Sequence, residues 1–81
     1  MMVNVLFLAS LTDHLGARQV SLDLAENATV SDALNALQLR FPDIENVLEN
    51  LTVAVNHCYT DAHRQLSAGD EVALIPPVSG G

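Results

Sequence analysis

The chain ends Ile75-Pro76-Pro77-Val78-Ser79-Gly80-Gly81, and this run carries the group best placed for chemistry. Proline lacks a backbone N–H and fixes φ, so Pro76-Pro77 stops a strand ladder and stiffens the exit. The residues beyond span up to ~3.3–3.6 Å each, a reach of ~13 Å from the body. Gly80 and Gly81 have no Cβ, so the end fits a narrow slot and adopts backbone angles closed to other residues. The terminal carboxylate is then the one group that can be presented deep inside another protein. Taken alone, a Gly-Gly end also describes an ordinary frayed terminus.

Other reactive side chains offer less. His57, Cys58 and His63 match no zinc-ligand spacing and supply a single thiolate, so no metal site is predicted. Cys58 as a nucleophile needs a base; His57 is adjacent in sequence, but neighbours on a strand point to opposite faces. Cys58 therefore reads as a small buried or half-buried residue. The carboxylates are scattered. Asp70-Glu71 is the adjacent pair close to the tail, and it reads as turn chemistry at Asp70 beside a solvated Glu71. No serine–histidine–acid set or glycine-rich nucleotide loop stands out. The chain looks like a participant in chemistry whose catalysts lie elsewhere, with no bound cofactor expected.

With 81 residues, 49% of them apolar, one domain over residues 1–81 is expected, with a flexible tail at 76–81. No apolar run is long enough to span a membrane. The N-terminus lacks a basic region before an apolar segment, so no signal peptide is predicted. A single cysteine fits a reducing, cytoplasmic setting. The net charge is −7, and Arg18, Arg40 and Arg64 are the only Lys or Arg residues. Phosphate backbones are bound through such residues, which argues against nucleic acid. The charge serves either solubility alone or steering towards a basic protein partner.

Six elements must position this tail. Val3 to Ser10 alternates, with Val3, Val5, Phe7 and Ala9 inward and Asn4, Leu6, Leu8 and Ser10 outward. Thr12 to Gly16 connects to a second alternating run, Gln19 to Leu24, making an antiparallel hairpin. Thr29 is a helix N-cap and Asp32 favours the first turn. Val30, Ala33, Leu34, Leu37 and Phe41 form one helical stripe, and Pro42 ends the helix near Arg40 or Phe41. Ile44, Val47 and Leu48 suggest a second helical turn. Leu51 to Asn56 is a strand with Ala54 outward, His57 a turn, Cys58 to Thr60 a short strand and Asp61 to Ala68 irregular. Gly69-Asp70 is a turn before the last strand, Glu71 to Ile75, which has Val72 and Leu74 inward.

One helix can cover one face of one sheet. The order ββαβββ, with right-handed crossover, lets the first and last strands lie parallel and side by side in the middle. This is an α+β chain of β-grasp (ubiquitin-like) architecture, a mixed sheet with one main helix on one face. The other face is then open and holds Leu6, Leu8, Ala54, Ala73 and Ile75, a clustered apolar surface of the kind that marks an interface.

The pattern Leu66-x-x-Gly69-Asp70-Glu71-Val72-x-x-x-Pro76-Pro77-Val78-Ser79-Gly80-Gly81 resembles the C-terminus of the small subunit of molybdopterin synthase, in the ubiquitin-like sulfur carrier family. The likeness extends to Val5-Leu6-Phe7-Leu8-Ala9, Leu15-Gly16, Thr29-Val30 and Val53-Ala54-Val55-Asn56. It implies a cycle. A ubiquitin-activating-type enzyme uses ATP to adenylate the Gly81 carboxylate. A sulfur donor protein then displaces AMP and leaves a thiocarboxylate. The large synthase subunit takes the tail into its catalytic pocket, within a heterotetramer of two small and two large subunits. Sulfur passes to cyclic pyranopterin monophosphate in molybdenum cofactor biosynthesis. Gly80 and Gly81 carry that chemistry; Leu6, Leu8, Tyr59, Ile75, Pro76, Pro77, Val78 and Ser79 are the expected partner contacts. A sulfur carrier of the thiamin thiazole type, a ubiquitin-like protein modifier and a plain interaction module are the alternatives.

Overall fold

A computed structural model describes residues 1–8, 11–12, 16–42 and 51–76. Their order is β1 (Met2–Phe7), β2 (Gln19–Asp23), α1 (Val30–Arg40), β3 (Thr52–Val55), β4 (Cys58–Thr60) and β5 (Glu71–Ile75). The suggested turn at Ile44, Val47 and Leu48 lies outside the described residues, as do Ala9, Ser10 and the tail from Pro77 onward.

The five strands form one sheet in the order β2-β1-β5-β3-β4. β1 and β5 pair in parallel, and the other neighbours are antiparallel. The mixed β-grasp topology expected from the element order is thus present. Alternation sets each strand's phase. Val3, Val5 and Phe7 are buried on β1, and Val72 and Leu74 on β5. They meet Val30, Ala33 and Leu37 of α1 in one core. Each valine, leucine or phenylalanine among them removed from water contributes about 1.5–3 kcal/mol.

The helix begins where the sequence places its cap. Thr29 Oγ1 accepts from the Asp32 N–H, and the Asp32 carboxylate accepts from the Thr29 N–H at 2.8 Å. Asp32 does more than complement the dipole; it closes a reciprocal capping box. At the other end Phe41 N–H donates to the Leu37 carbonyl at 2.7 Å, and the helix stops before Pro42. Arg40 reaches from the last turn to the Ser21 carbonyl at 3.3 Å. That carbonyl belongs to edge strand β2, so a free edge acceptor is covered.

Three features depart from the expected pattern. β1 stops at Phe7 rather than Ser10, although the Leu8 N–H still donates to the Leu74 carbonyl at 3.2 Å. Leu11 and Leu66, one in a connection and one in the irregular stretch, are core residues. The stretch around Leu66 docks against the N-terminal end of the helix. Leu66 N–H donates to Ala28 O at 2.8 Å, and Val30 N–H to Arg64 O at 2.9 Å. The β3–β4 hairpin turns on Asn56 and His57, both with positive φ (51° and 72°), as a two-residue type I′ turn requires.

Candidate functional site

Register brings the expected contact residues onto one face. Leu6 lies opposite Ala73, Ala73 opposite Ala54, and Ala54 opposite Tyr59. Side chains in register share a face, so these four form a row across β1, β5, β3 and β4. Tyr59 is 77% exposed at the edge, while Leu6 and Ala73 are half-buried. Ala54 was expected to be open on this face, but it is buried. Its small methyl lies between Ala73 and Tyr59 in the row.

The next row lies towards the exit of β5. Ile75 is in register with Thr52 and half-buried, and Leu8, 39% exposed, extends the row beyond β1. Pro76, expected to belong to the tail, is half-buried against this end of the body. Pro77, Val78, Ser79, Gly80 and Gly81 lie outside the described residues. The opposite end of the face is polar. Asn4 is in register with Ser21 and Glu71, and Ser21 Oγ donates to Asn4 Oδ1 at 3.0 Å. His57 stands 3.8 Å from the Glu71 carboxylate. The face therefore grades from polar to apolar along β5, with its apolar end at the exit.

The start of β5 is held by a clasp. Asn56 Nδ2 donates to Asp70 Oδ1 at 2.9 Å, while Asn56 Oδ1 accepts from the Glu71 N–H at 3.0 Å. The Ser67 N–H donates to Asp70 Oδ2 at 2.7 Å. That N–H and then the Asn56 amide hold the Asp70 carboxyl below its ordinary range, against a small opposing effect of burial. A carboxylate bonded by two donors favours its charged form. Turn chemistry at Asp70, as expected, is what positions the strand leading to the tail.

Cys58 is exposed, not buried or half-buried as expected. It lies on β4, an edge strand, opposite Val55 of β3, and no further strand among the described residues pairs with it. Among the described residues no three His, Cys, Asp or Glu side chains converge, and no helix is long and apolar enough to cross a membrane. At the corner where β1 ends and β2 begins lies a groove of about 540 Å³, lined by Leu6, Phe7, Leu8, Thr12, Arg18 and Gln19. Arg18 was not a candidate from the sequence. It sits just before a strand, and no spacing rule marks a single cation there.

The arrangement is a largely apolar row on one face of a sheet whose middle strand, β5, leads into the C-terminal run. The ThiS family profile matches residues 5–81. The molybdopterin synthase sulfur carrier subunit of Arabidopsis thaliana is 33% identical over 79 residues, covering 98% of this chain and 82% of that protein. Small archaeal modifier protein 1 of Haloferax volcanii is 37% identical over 81 residues, covering 90% and 93%. The crystal structure of the Haloferax volcanii modifier superposes with a TM-score of 0.90 at 34% identity over all of both chains. Subunits 1 and 2 of molybdopterin-converting factor from Helicobacter pylori are solved as a complex. There the likeness, TM-score 0.73 at 24% identity over all of both chains, is one of fold alone. The chain belongs to the ThiS family and is a sulfur carrier of β-grasp, ubiquitin-like fold.

Proposed function

We propose that this chain is the sulfur-donating small subunit of molybdopterin synthase. One observation carries the reading. β5 is pinned between β1 and β3, and it runs along the open face to end at its apolar edge. A partner seated on Leu6, Leu8, Tyr59 and Ile75 thus meets the chain where Pro76-Pro77-Val78-Ser79-Gly80-Gly81 begins. The likeness to the sulfur carrier subunit of molybdopterin synthase in Arabidopsis thaliana supports a large-subunit partner of this kind.

The chemistry suits the terminal residues. The Gly81 carboxylate attacks the α-phosphate of ATP on a ubiquitin-activating-type enzyme, and pyrophosphate leaves. The acyl adenylate then has AMP as a good leaving group, and sulfide-level sulfur supplied by a donor protein attacks the acyl carbon, AMP leaves, and the thiocarboxylate remains. Gly81 offers no side chain to hinder attack at its carbonyl, and Gly80 lets the backbone lie in a narrow channel. Sulfur transfer to cyclic pyranopterin monophosphate takes place in the large subunit, which supplies the catalytic groups. The body over residues 1–75 acts as the grip and the tail as the reacting arm.

The likeness to small archaeal modifier protein 1 favours a second reading, acylation of a lysine on a target protein by the same adenylate. The two diverge after activation. The test is the intact mass of the chain purified together with its activating enzyme and incubated with ATP and a sulfur source. Replacement of one oxygen by sulfur supports the carrier cycle. An isopeptide adduct through Gly81, with no thiocarboxylate, overturns it in favour of the modifier.

A further inference from the structure

The groove at the corner where β1 ends and β2 begins is lined by Leu6, Phe7 and Leu8, with Arg18 and Gln19, both exposed, at its rim. Thr12 lines the wall but spends its hydroxyl proton on the Phe7 carbonyl at 2.8 Å. The three arginines differ in what they face. Arg40 donates to Ser21 O and lies over the Phe41 ring, and Arg64 is close enough to act on the Asp70 carboxylate. Arg18 has no acidic partner among the described residues. It is a cation at an apolar pocket on a chain of net charge −7.

We infer that this groove receives a glutamate or aspartate, flanked by an apolar side chain, from the protein that docks on the open face, with Arg18 as its anchor. The inference rests on the docking face proposed above and names the chemistry of its occupant. A guanidinium presents a planar fork of donors that matches a carboxylate, and the Gln19 amide at the same rim adds another donor. Leu6 and Leu8 bury the neighbouring apolar group.

The consequence is orientation. At the polar end of the open face stand Glu71 and, on the edge strand, Asp23, while Arg18 lines the groove where β1 ends and β2 begins, next to Leu6 and Leu8. A partner that is basic opposite Glu71 and acidic opposite Arg18 fits in one direction along β5. Reversed, it sets like charges against each other at both ends, and such contacts are strongly unfavourable. The net charge alone favours a uniformly basic partner, and this corner opposes one. Arg18 therefore fixes the direction that aims the chain end at the partner's pocket.

The test uses the full chain with the molybdopterin synthase large subunit as probe, measuring Kd at low and high salt. Arg18→Glu should weaken binding about tenfold and Arg18→Ala about threefold, with the difference shrinking as salt screens the contact. Thermal stability should not change in either variant, and Arg18→Lys should recover part of the loss. A large-subunit variant that replaces one acidic residue with lysine should rescue Arg18→Glu and so identify the occupant. Tyr59→Ala, on the face but outside the groove, separates the two readings. Weakened binding by Tyr59→Ala with wild-type binding by Arg18→Glu overturns the groove and leaves the docking face standing. Wild-type binding by both overturns the docking face itself. Tighter binding by Arg18→Glu overturns the groove's acidic occupant.

Discussion

Phe7→Ala and Leu8→Ala remove adjacent side chains of the same strand region, and they should fail in opposite ways. Phe7 is 2% exposed, faces Leu74 across the parallel ladder and meets the Phe41 ring edge-on, with centroids 6.0 Å apart and planes at 87°. Truncating such a ring costs about 3–5 kcal/mol, from lost transfer energy plus the cavity left behind. The edge-to-face contact accounts for about 0.5–1.5 kcal/mol beyond area alone. A domain of this length has a total stability of about 4–12 kcal/mol, so Phe7→Ala removes about a quarter of it or more. At about 4–8 °C per kcal/mol the midpoint falls by roughly 12–40 °C, enough to leave much of the variant unfolded at 37 °C. Leu8 is 39% exposed on the docking face, and its truncation should cost about 1 kcal/mol or less. Its effect should appear in binding to the large subunit. Urea unfolding followed by far-UV circular dichroism gives the first quantity and titration calorimetry the second. If Leu8→Ala unfolds the protein and Phe7→Ala does not, the register of β1 against β5 is off by one residue and the docking face is the wrong one.

Thr29→Ala breaks the capping box with Asp32 and should lower the unfolding free energy by about 1 kcal/mol with no effect on partner binding; urea denaturation reads it. Asp70 gives an acid-side prediction. Its folded carboxyl titrates below the unfolded value of 3.8, so the stability it contributes is fully present above that pH and is lost as pH falls through the lower folded value. Asp70→Asn should flatten the dependence of unfolding midpoint on pH below about 4, and an unchanged acid limb would refute the clasp. Deleting Gly81 should leave the thermal midpoint within about 1 °C while abolishing thiocarboxylate formation, because Gly81 has no side chain to bury and lies beyond Pro76-Pro77 in the sequence. Gly81→Val should fold normally and bind the large subunit yet fail to be adenylated; normal thiocarboxylate formation by that variant would remove the case for a narrow activation slot.

What could be read from the sequence divides along physical lines. Strand phase was legible because alternation is a local signal: Val3, Val5 and Phe7 against Asn4, or Val72 and Leu74 against Glu71, decide which face goes to the core. Helix limits were legible because Thr29, Asp32 and Pro42 act on the backbone beside them. Leu11, Leu66 and the clasp of Asn56 with Asp70 were not, since each depends on a partner far along the chain or on a single apolar residue with no period around it. Cys58 misled for a related reason. Its small size argued for burial, but its place on the outermost strand decided otherwise.

The docking face shows how local and global signals combine. Alternation says that Leu6, Ala73, Ala54 and Tyr59 each point away from the helix or lie at an edge; it does not say that they are neighbours. They become one row because β5 pairs in parallel with β1 and antiparallel with β3, and because the type I′ turn at Asn56-His57 sets Tyr59 opposite Ala54. A one-residue slip in any of the three pairings would break the row and turn one of its members towards α1. The clasp at Asp70 pins β5 to the β3–β4 hairpin at the end where such a slip would begin. The same hydrogen bonds that fix β5 in the sheet therefore fix the apolar row beside its exit. On the proposed reading, in which the terminal carboxylate must reach a partner's reacting centre, both are set by one device, and the grip and the aim of the chain end then do not vary independently.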